Sequence, residues 1–205
     1  DDDTVLSLVG ENPLAEFAQA KALGIQAKPV VSGAFTFLKL ARYTGKKTAA
    51  EFAKQAADSY GALLAKLAQA GAEWVQFDEP ALVRDLTAED KKLFDAQYKT
   101  ILSFKGSAKV LLQTYFGDVR DCYKELCALP FDGIGLDFIE GRESYALVEA
   151  NGFPKDKLLF AGLVNGKNIW KNNYAATVAA VKKLQRTGAE VVLSTSCSLL
   201  HVPYT

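Results

Sequence analysis

Methionine is absent from the 205 residues, histidine occurs once and cysteine three times. The chain opens Asp1-Asp2-Asp3. With no Met to start it and no small second residue to favour Met excision, it is expected to be a piece of a longer chain. The alternative is a processed or trimmed product. The single His201 and the three cysteines, Cys122, Cys127 and Cys197, include no C-x-x-C or H-E-x-x-H spacing, so no standard zinc site is read. An odd, scattered cysteine set in a chain this size argues against a disulfide framework and for a reducing compartment. Excess charge of one sign is also missing: 24 Lys+Arg balance 24 Asp+Glu. A general nucleic-acid or anionic-membrane binder needs a basic surplus. No apolar run reaches the ~18 residues of a membrane span, and no stretch reads as a signal peptide. No G-x-G-x-x-G or Walker pattern occurs, so no nucleotide loop is supported.

What is present is a globular composition, 49% hydrophobic and 23% charged, enough to bury a core and exclude disorder. Short β-branched runs fall at 27–32, 73–78, 109–114, 133–138, 158–163 and 190–195. Helical patterns lie between them, clearest over 48–70. There Ala50, Phe52, Ala53, Ala56, Ala57, Tyr60, Leu63, Leu64 and Leu67 repeat at helical spacing. Thr48 with Glu51 reads as a capping box, and Gly71 as the stop. Further helices are expected over 88–104, opened by Thr87, and near 13–23, 118–128, 141–151 and 173–187, the last ended by Gly188. Strand alternating with helix predicts an α/β fold of consecutive βα units with parallel strands. Six strands do not close the usual eight-stranded barrel. No linker, low-complexity tract or domain boundary is read within 1–205. Trp74, Trp170 and the many Phe and Tyr residues read as core rather than as a stacking platform.

Polar residues gather where each strand run stops, the position at which barrels and open α/β sheets bind ligands. Asp78-Glu79-Pro80 puts adjacent carboxylates at a strand end, and alternation lets at most one face a site. Either could hold an ammonium group or act as a base, or simply cap the next turn. Asn165-Gly166-Lys167-Asn168 could hold an anion, though Asn-Gly is also ordinary turn chemistry. Ser194-Thr195-Ser196-Cys197-Ser198 is hydroxyl-rich. Cys197 reads as a buried structural thiol rather than a nucleophile paired with His201.

Four segments stand in order: EWVQFDEPAL at 73–82, LQTYF at 112–116, AGLVNGKNIW at 161–170 and STSCSLLHVP at 194–203. Together with KPVVSG at 28–33 they resemble the N-terminal domain of cobalamin-independent methionine synthase, across essentially the whole chain. The resemblance implies an incomplete (β/α)₈ TIM barrel of about six βα units, 1–205 being its third to eighth strands. It implies a parent methyltransferase, cytoplasmic, that moves a methyl group from 5-methyltetrahydrofolate polyglutamate to homocysteine to make methionine. Zinc, which lowers the homocysteine thiol pKa, would sit in a C-terminal catalytic barrel of the same polypeptide. This barrel would be the non-catalytic support, with Asp78, Glu79, Asn165, Lys167 and Ser196 as substrate-proximal candidates. Laid onto the catalytic barrel's zinc ligands, the matching positions are Tyr115, Gly117, Asp137 and Cys197. Two of the four have lost a ligand side chain, so no metal is expected on this chain. The resemblance also implies tail-binding basic residues in the family's N-terminal segment, which are expected to be missing from this chain.

Two other readings compete. One is a stand-alone small-molecule-binding half-barrel without methyl transfer. The other is a distinct enzyme of the superfamily working through Asp78, Asp137 and Lys167. The truncated-barrel picture also predicts exposed strand edges. Inward apolar residues such as Val75, Phe77 and Leu136 would lose neighbours, and the isolated chain would aggregate, dimerise or order only in a fuller context.

Overall fold

In the computed structural model, residues 1–201 are described. Val202 and Pro203, the last two residues of the fourth segment, lie outside them. Six strands form one sheet in sequential order, β1 Val30–Ser32, β2 Trp74–Asp78, β3 Lys109–Gln113, β4 Gly133–Asp137, β5 Leu158–Val164 and β6 Glu190–Thr195. The pairs β1–β2, β4–β5 and β5–β6 are parallel. Each predicted strand is found within three residues of its expected bounds. β1 and β6 have one strand neighbour each, so the sheet is open.

The chain divides into two compact units, residues 1–79 with 87–111, and residues 80–86 with 112–205. In the first unit lie α1 Asn12–Ala22, α2 Ala34–Leu40, α3 Ala49–Gln69 and α4 Ala88–Leu102. Helix α3 follows the predicted stripe: Phe52, Ala56, Ala57, Leu63, Leu64 and Leu67 are buried. Its start is closed by Glu51 Oε2, which accepts from the Thr48 amide at 2.8 Å. Gly71 ends it in the left-handed region, φ +90°, which an L side chain enters only at a cost. Thr87 caps α4 by accepting from the Asp90 amide at 3.1 Å.

The core of this unit is aromatic. Phe77 meets Tyr60 and Tyr98 at 6.0 and 6.1 Å between ring centres, and Phe94 meets Tyr98 at 5.0 Å. Those contacts correct one expectation. Val75 and Phe77 point at the helices and are fully buried, and Leu136 of the second unit is buried as well. Strand alternation instead turns Trp74, Gln76 and Asp78 to the other, half-open face. Exposure falls on the edge strands, at Val30 of β1 (51%) and Leu193 of β6 (53%). Helix α2 was not anticipated by the sequence pattern.

The second unit holds α5 Tyr123–Ala128, α6 Ser144–Asn151 and α7 Tyr174–Gln185, with short 3₁₀ turns at Pro80–Val83 and Leu199–His201. β4 is buried along its whole length. Gly162 of β5 pairs in register with Asp137 and Ser194. A Cβ there would stand 2.8 Å from the Ser196 Cα and 2.9 Å from the Leu136 carbonyl oxygen. Only glycine lets the three strands close up at this level. Trp170 departs from the expected core role: it lies between β5 and α7 and is 81% exposed. Among the described residues no helix is long and apolar enough to cross a membrane.

Candidate functional site

The adjacent carboxylates at the end of β2 have opposite fates, as alternation requires. Glu79 is completely buried. Its Oε1 accepts from the Phe35 amide at 2.9 Å and the Tyr98 hydroxyl at 2.5 Å, and its Oε2 from the Thr36 amide at 2.7 Å. The carboxylate thus serves as the missing cap of α2, whose own N-cap position is Gly33. Glycine is required at 33: a Cβ would sit 2.1 Å from Glu79 Oε1. Burial pushes the Glu79 carboxyl above its ordinary value, against these hydrogen bonds. Asp78 stays half-buried on the open face and accepts from Gln76 Nε2 at 2.7 Å. Burial lowers the Lys28 ammonium, and the Asp78 charge partly restores it.

In the second unit the strand ends converge. Asp137, 1% exposed, organises them. Its Oδ2 accepts from the Phe116 amide at 2.9 Å, and its Oδ1 from the Ile139 and Glu140 amides at 2.8 and 2.9 Å. Burial raises this carboxyl, and the three amides oppose the rise. Lys167 Nζ bonds Glu140 Oε1 at 2.7 Å and lies 5.2 Å from the Phe116 ring centre. The Glu140 bond holds the ammonium above its ordinary value. Asn165 Oδ1 accepts from the Lys167 amide at 2.8 Å, closing the predicted turn. Ser196, also buried, accepts through Oγ from the Gly166 amide at 3.1 Å. Cys197 is buried beneath the same glycine, and burial pushes its thiol up. Tyr115, Phe116 and His201 form an aromatic group with ring centres 4.8 to 5.9 Å apart.

The structure therefore gathers Tyr115, Asp137, Asn165, Lys167, Ser196 and Cys197 at one set of strand ends. Gly117 packs against Val83. Asp78 and Glu79 belong to the first unit. Sequence reasoning missed Phe116, Glu140 and His201 as parts of this group. Glu140 was reachable from its place three residues after a strand-end Asp. Nothing in the sequence announces that Phe116 takes φ +71°.

These residues do not suit zinc. Among the described residues no three His, Cys, Asp or Glu side chains gather as metal ligands. Tyr115 offers a phenol, Gly117 offers nothing, and both Asp137 oxygens are taken by backbone amides. A zinc ligand set needs about four free donors of the N, S or carboxylate type.

Sequential βα units with polar strand ends define a barrel-type α/β protein whose described sheet is open. A family described as cobalamin-independent synthase, N-terminal domain, matches residues 1–189. The chain belongs to that family. It is 53% identical over 203 residues to a Streptococcus suis protein named 5-methyltetrahydropteroyltriglutamate–homocysteine methyltransferase. It is 48% identical over 204 residues to a protein of that name from Campylobacter jejuni subsp. doylei. These matches take in 99% and 100% of the chain but 27% of each relative. The fold is also that of a B12-independent methionine synthase from Shewanella sp. W3-18-1, with TM-score 0.72 at 16% identity over 95% of this chain and 61% of that one. A Methanosarcina mazei methyltransferase gives TM-score 0.67 at 13% identity, over 94% and 62%.

Proposed function

We propose that this chain is the supporting, non-catalytic barrel segment of a zinc-dependent enzyme. That enzyme moves a methyl group from 5-methyltetrahydropteroyltriglutamate to homocysteine. The two named relatives support the reaction, and their greater length leaves room for a catalytic barrel elsewhere in the polypeptide. One observation carries the supporting role. The buried strand-end carboxylates Glu79 and Asp137 are each committed to at least three hydrogen bonds from their own chain. A general base or metal ligand needs an oxygen free to face the reacting group. Zinc and homocysteine then belong to the partner barrel, where the metal would supply a thiolate nucleophile. A cytoplasmic setting fits the three free cysteines.

The test is made on the intact polypeptide purified from its source. The expected result is a mass several times 22.2 kDa, methyl transfer to homocysteine, and bound zinc whose stoichiometry survives Cys197→Ser and Asp137→Asn. A native mass near 22.2 kDa, or loss of zinc from a folded Cys197→Ser protein, overturns the reading. The first of these outcomes would return the chain to the stand-alone ligand-binding alternative.

A further inference from the structure

Two Asn-Gly pairs occur in the chain, Asn151-Gly152 and Asn165-Gly166, and both lie in the second unit. Asparagine is a thermolabile residue, and a following glycine leaves the next backbone nitrogen unshielded by a side chain. That nitrogen can attack the asparagine's own carboxamide carbon. A new C–N bond forms, the bond to the side-chain nitrogen breaks, and that nitrogen leaves as ammonia with the backbone amide proton. A succinimide ring remains. Water then opens the ring at either carbonyl, giving an aspartyl or an isoaspartyl link.

The two pairs are prepared for this step to different degrees. Asn151 closes α6, and its Nδ2 donates to the Leu147 carbonyl oxygen at 2.9 Å, which turns the carboxamide back along the helix. The Gly152 amide is held by the Val148 carbonyl oxygen at 2.9 Å. Asn165 points the other way. Its Oδ1 accepts from the Lys167 amide at 2.8 Å, so its carboxamide reaches forward over Gly166. A donor on that oxygen also stabilises the negative charge that develops there during attack. Asn165 is only half-buried, so water for the second step can reach it.

Packing forbids removal of the glycine. A Cβ at Gly166 would stand 2.5 Å from the Cys197 carbonyl oxygen and 3.0 Å from its Sγ. The restraint comes from Ser196 instead. Its Oγ accepts from the Gly166 amide at 3.1 Å, engaging the one proton that the attack must release. Ser196 is 1% exposed, and its own amide donates to the Val164 carbonyl oxygen at 2.7 Å. The hydroxyl is thereby tied to the residue just before Asn165. Gly162 makes room for this approach, since a Cβ there would lie 2.8 Å from the Ser196 Cα.

We infer that Asn165 is a site of spontaneous succinimide formation and that the Ser196 hydroxyl holds it closed. Ser196 is a protecting residue, and the hazard it guards against is imposed by the packing of Gly166. Either product of ring opening puts a new negative charge two residues from Lys167, whose ammonium pairs with Glu140. The isoaspartyl product also lengthens the main chain by a methylene within the turn.

The intact polypeptide is held at mildly alkaline pH, and conversion at both asparagines is followed by mass spectrometry of its proteolytic peptides. Asn151 is the internal reference. In the unmutated protein Asn165 should convert more slowly than in the same protein unfolded in urea. Ser196→Ala should speed conversion at Asn165 by about three- to tenfold, the factor that one hydrogen bond supplies, and leave the rate at Asn151 unchanged. Ser196→Thr keeps the hydroxyl and should hold Asn165 at its unmutated rate. An Asn165 rate unmoved by Ser196→Ala overturns the inference. So does a rise at both asparagines, which would mean that Ser196 supports the unit as a whole rather than this one bond. An equal acceleration in Ser196→Thr would assign the effect to loosened packing and overturn it too, as would an unmutated Asn165 that converts as fast folded as unfolded.

Discussion

Glu79 and Asp137 are the same kind of object used in two ways. Each is a buried carboxylate at or just after a strand end, each takes hydrogen bonds from the chain's own groups, and burial raises each. Asp137 works on its own turn and on one loop 21 residues back. Its amides come from Phe116, beyond the neighbouring strand, and from Ile139 and Glu140, two and three residues on. Glu79 works at long range, reaching back 43 and 44 residues to the amides of α2 and forward 19 to Tyr98. A carboxylate bonded to its own turn shapes a loop. One bonded to a distant helix start decides whether that helix exists.

The comparison can be broken most forcefully by truncation. Glu79→Ala leaves two amides and a tyrosine hydroxyl buried without an acceptor, and should cost about 3–5 kcal/mol. Asp137→Ala should cost less, about 2–4 kcal/mol, because its amides lie nearer the surface and water can reach them. Urea unfolding of the intact polypeptide measures both. Equal costs would mean that the distance spanned by the hydrogen bonds does not matter.

Next come the glycines that make room for each arrangement. Gly33→Ala drives a Cβ onto Glu79 Oε1, which hydrogen bonds from the Phe35 amide and the Tyr98 hydroxyl prevent from moving aside. A loss of about 1–3 kcal/mol is expected, and it should shrink in a Glu79→Gln background if the clash is with that group. At Gly166 the obstacle is backbone, the Cys197 carbonyl oxygen 2.5 Å from a built Cβ. Gly166→Ala should therefore find no such relief in any Cys197 variant.

The pH dependence sharpens the contrast further. Because burial holds Glu79 above its ordinary value, the folded protein binds this proton more tightly than the unfolded chain does. Its contribution is fully present below the unfolded value and is lost as pH rises through the folded one. Asp90 runs the other way. Burial raises it, but hydrogen bonds and charge from Lys39 and Thr87 outweigh that and leave it lowered. Its contribution is present above the unfolded carboxylate value and is lost as pH falls through the folded one. Melting curves across the acid range should lose the first slope in Glu79→Gln and the second in Asp90→Asn. A Glu79→Gln profile parallel to the unmutated one would show that Glu79 is not the group titrating.

The smallest effect is of opposite sign. Gln97 of α4 is 1% exposed, and neither end of its amide has a hydrogen-bond partner among the described residues. Gln97→Leu should raise stability by about 1 kcal/mol, seen as a higher melting temperature. A loss would indicate a buried water bridging the amide.

Much of this was legible beforehand. All six strands, the capping box at Thr48, the N-cap at Thr87 and the strand-end position of the polar residues follow from local pattern. The opposite facing of Asp78 and Glu79 follows from strand alternation alone. What escaped was non-local. Ala34–Leu40 is too short to be read as a helix and carries no side-chain cap of its own, because its cap lies at Glu79. The inner face of β2 was misjudged for a similar reason. Apolar Val75 and Phe77 look like barrel interior until α3 and α4 are seen to supply Tyr60 and Tyr98 against Phe77. Phe116 escaped because a positive φ in a bulky residue is imposed by a contact from Asp137, not by its own chemistry.

The Glu79 cap also sets an order of events during synthesis. A seven-residue helix is well below the length that persists alone in water, and translation delivers the chain from its N-terminus at about 5–20 residues per second. Segment 34–40 therefore waits on the ribosome for Glu79 and Tyr98 to emerge, so it should stay open to proteases in nascent chains stopped before residue 79 and become protected only once Tyr98 is clear of the exit tunnel.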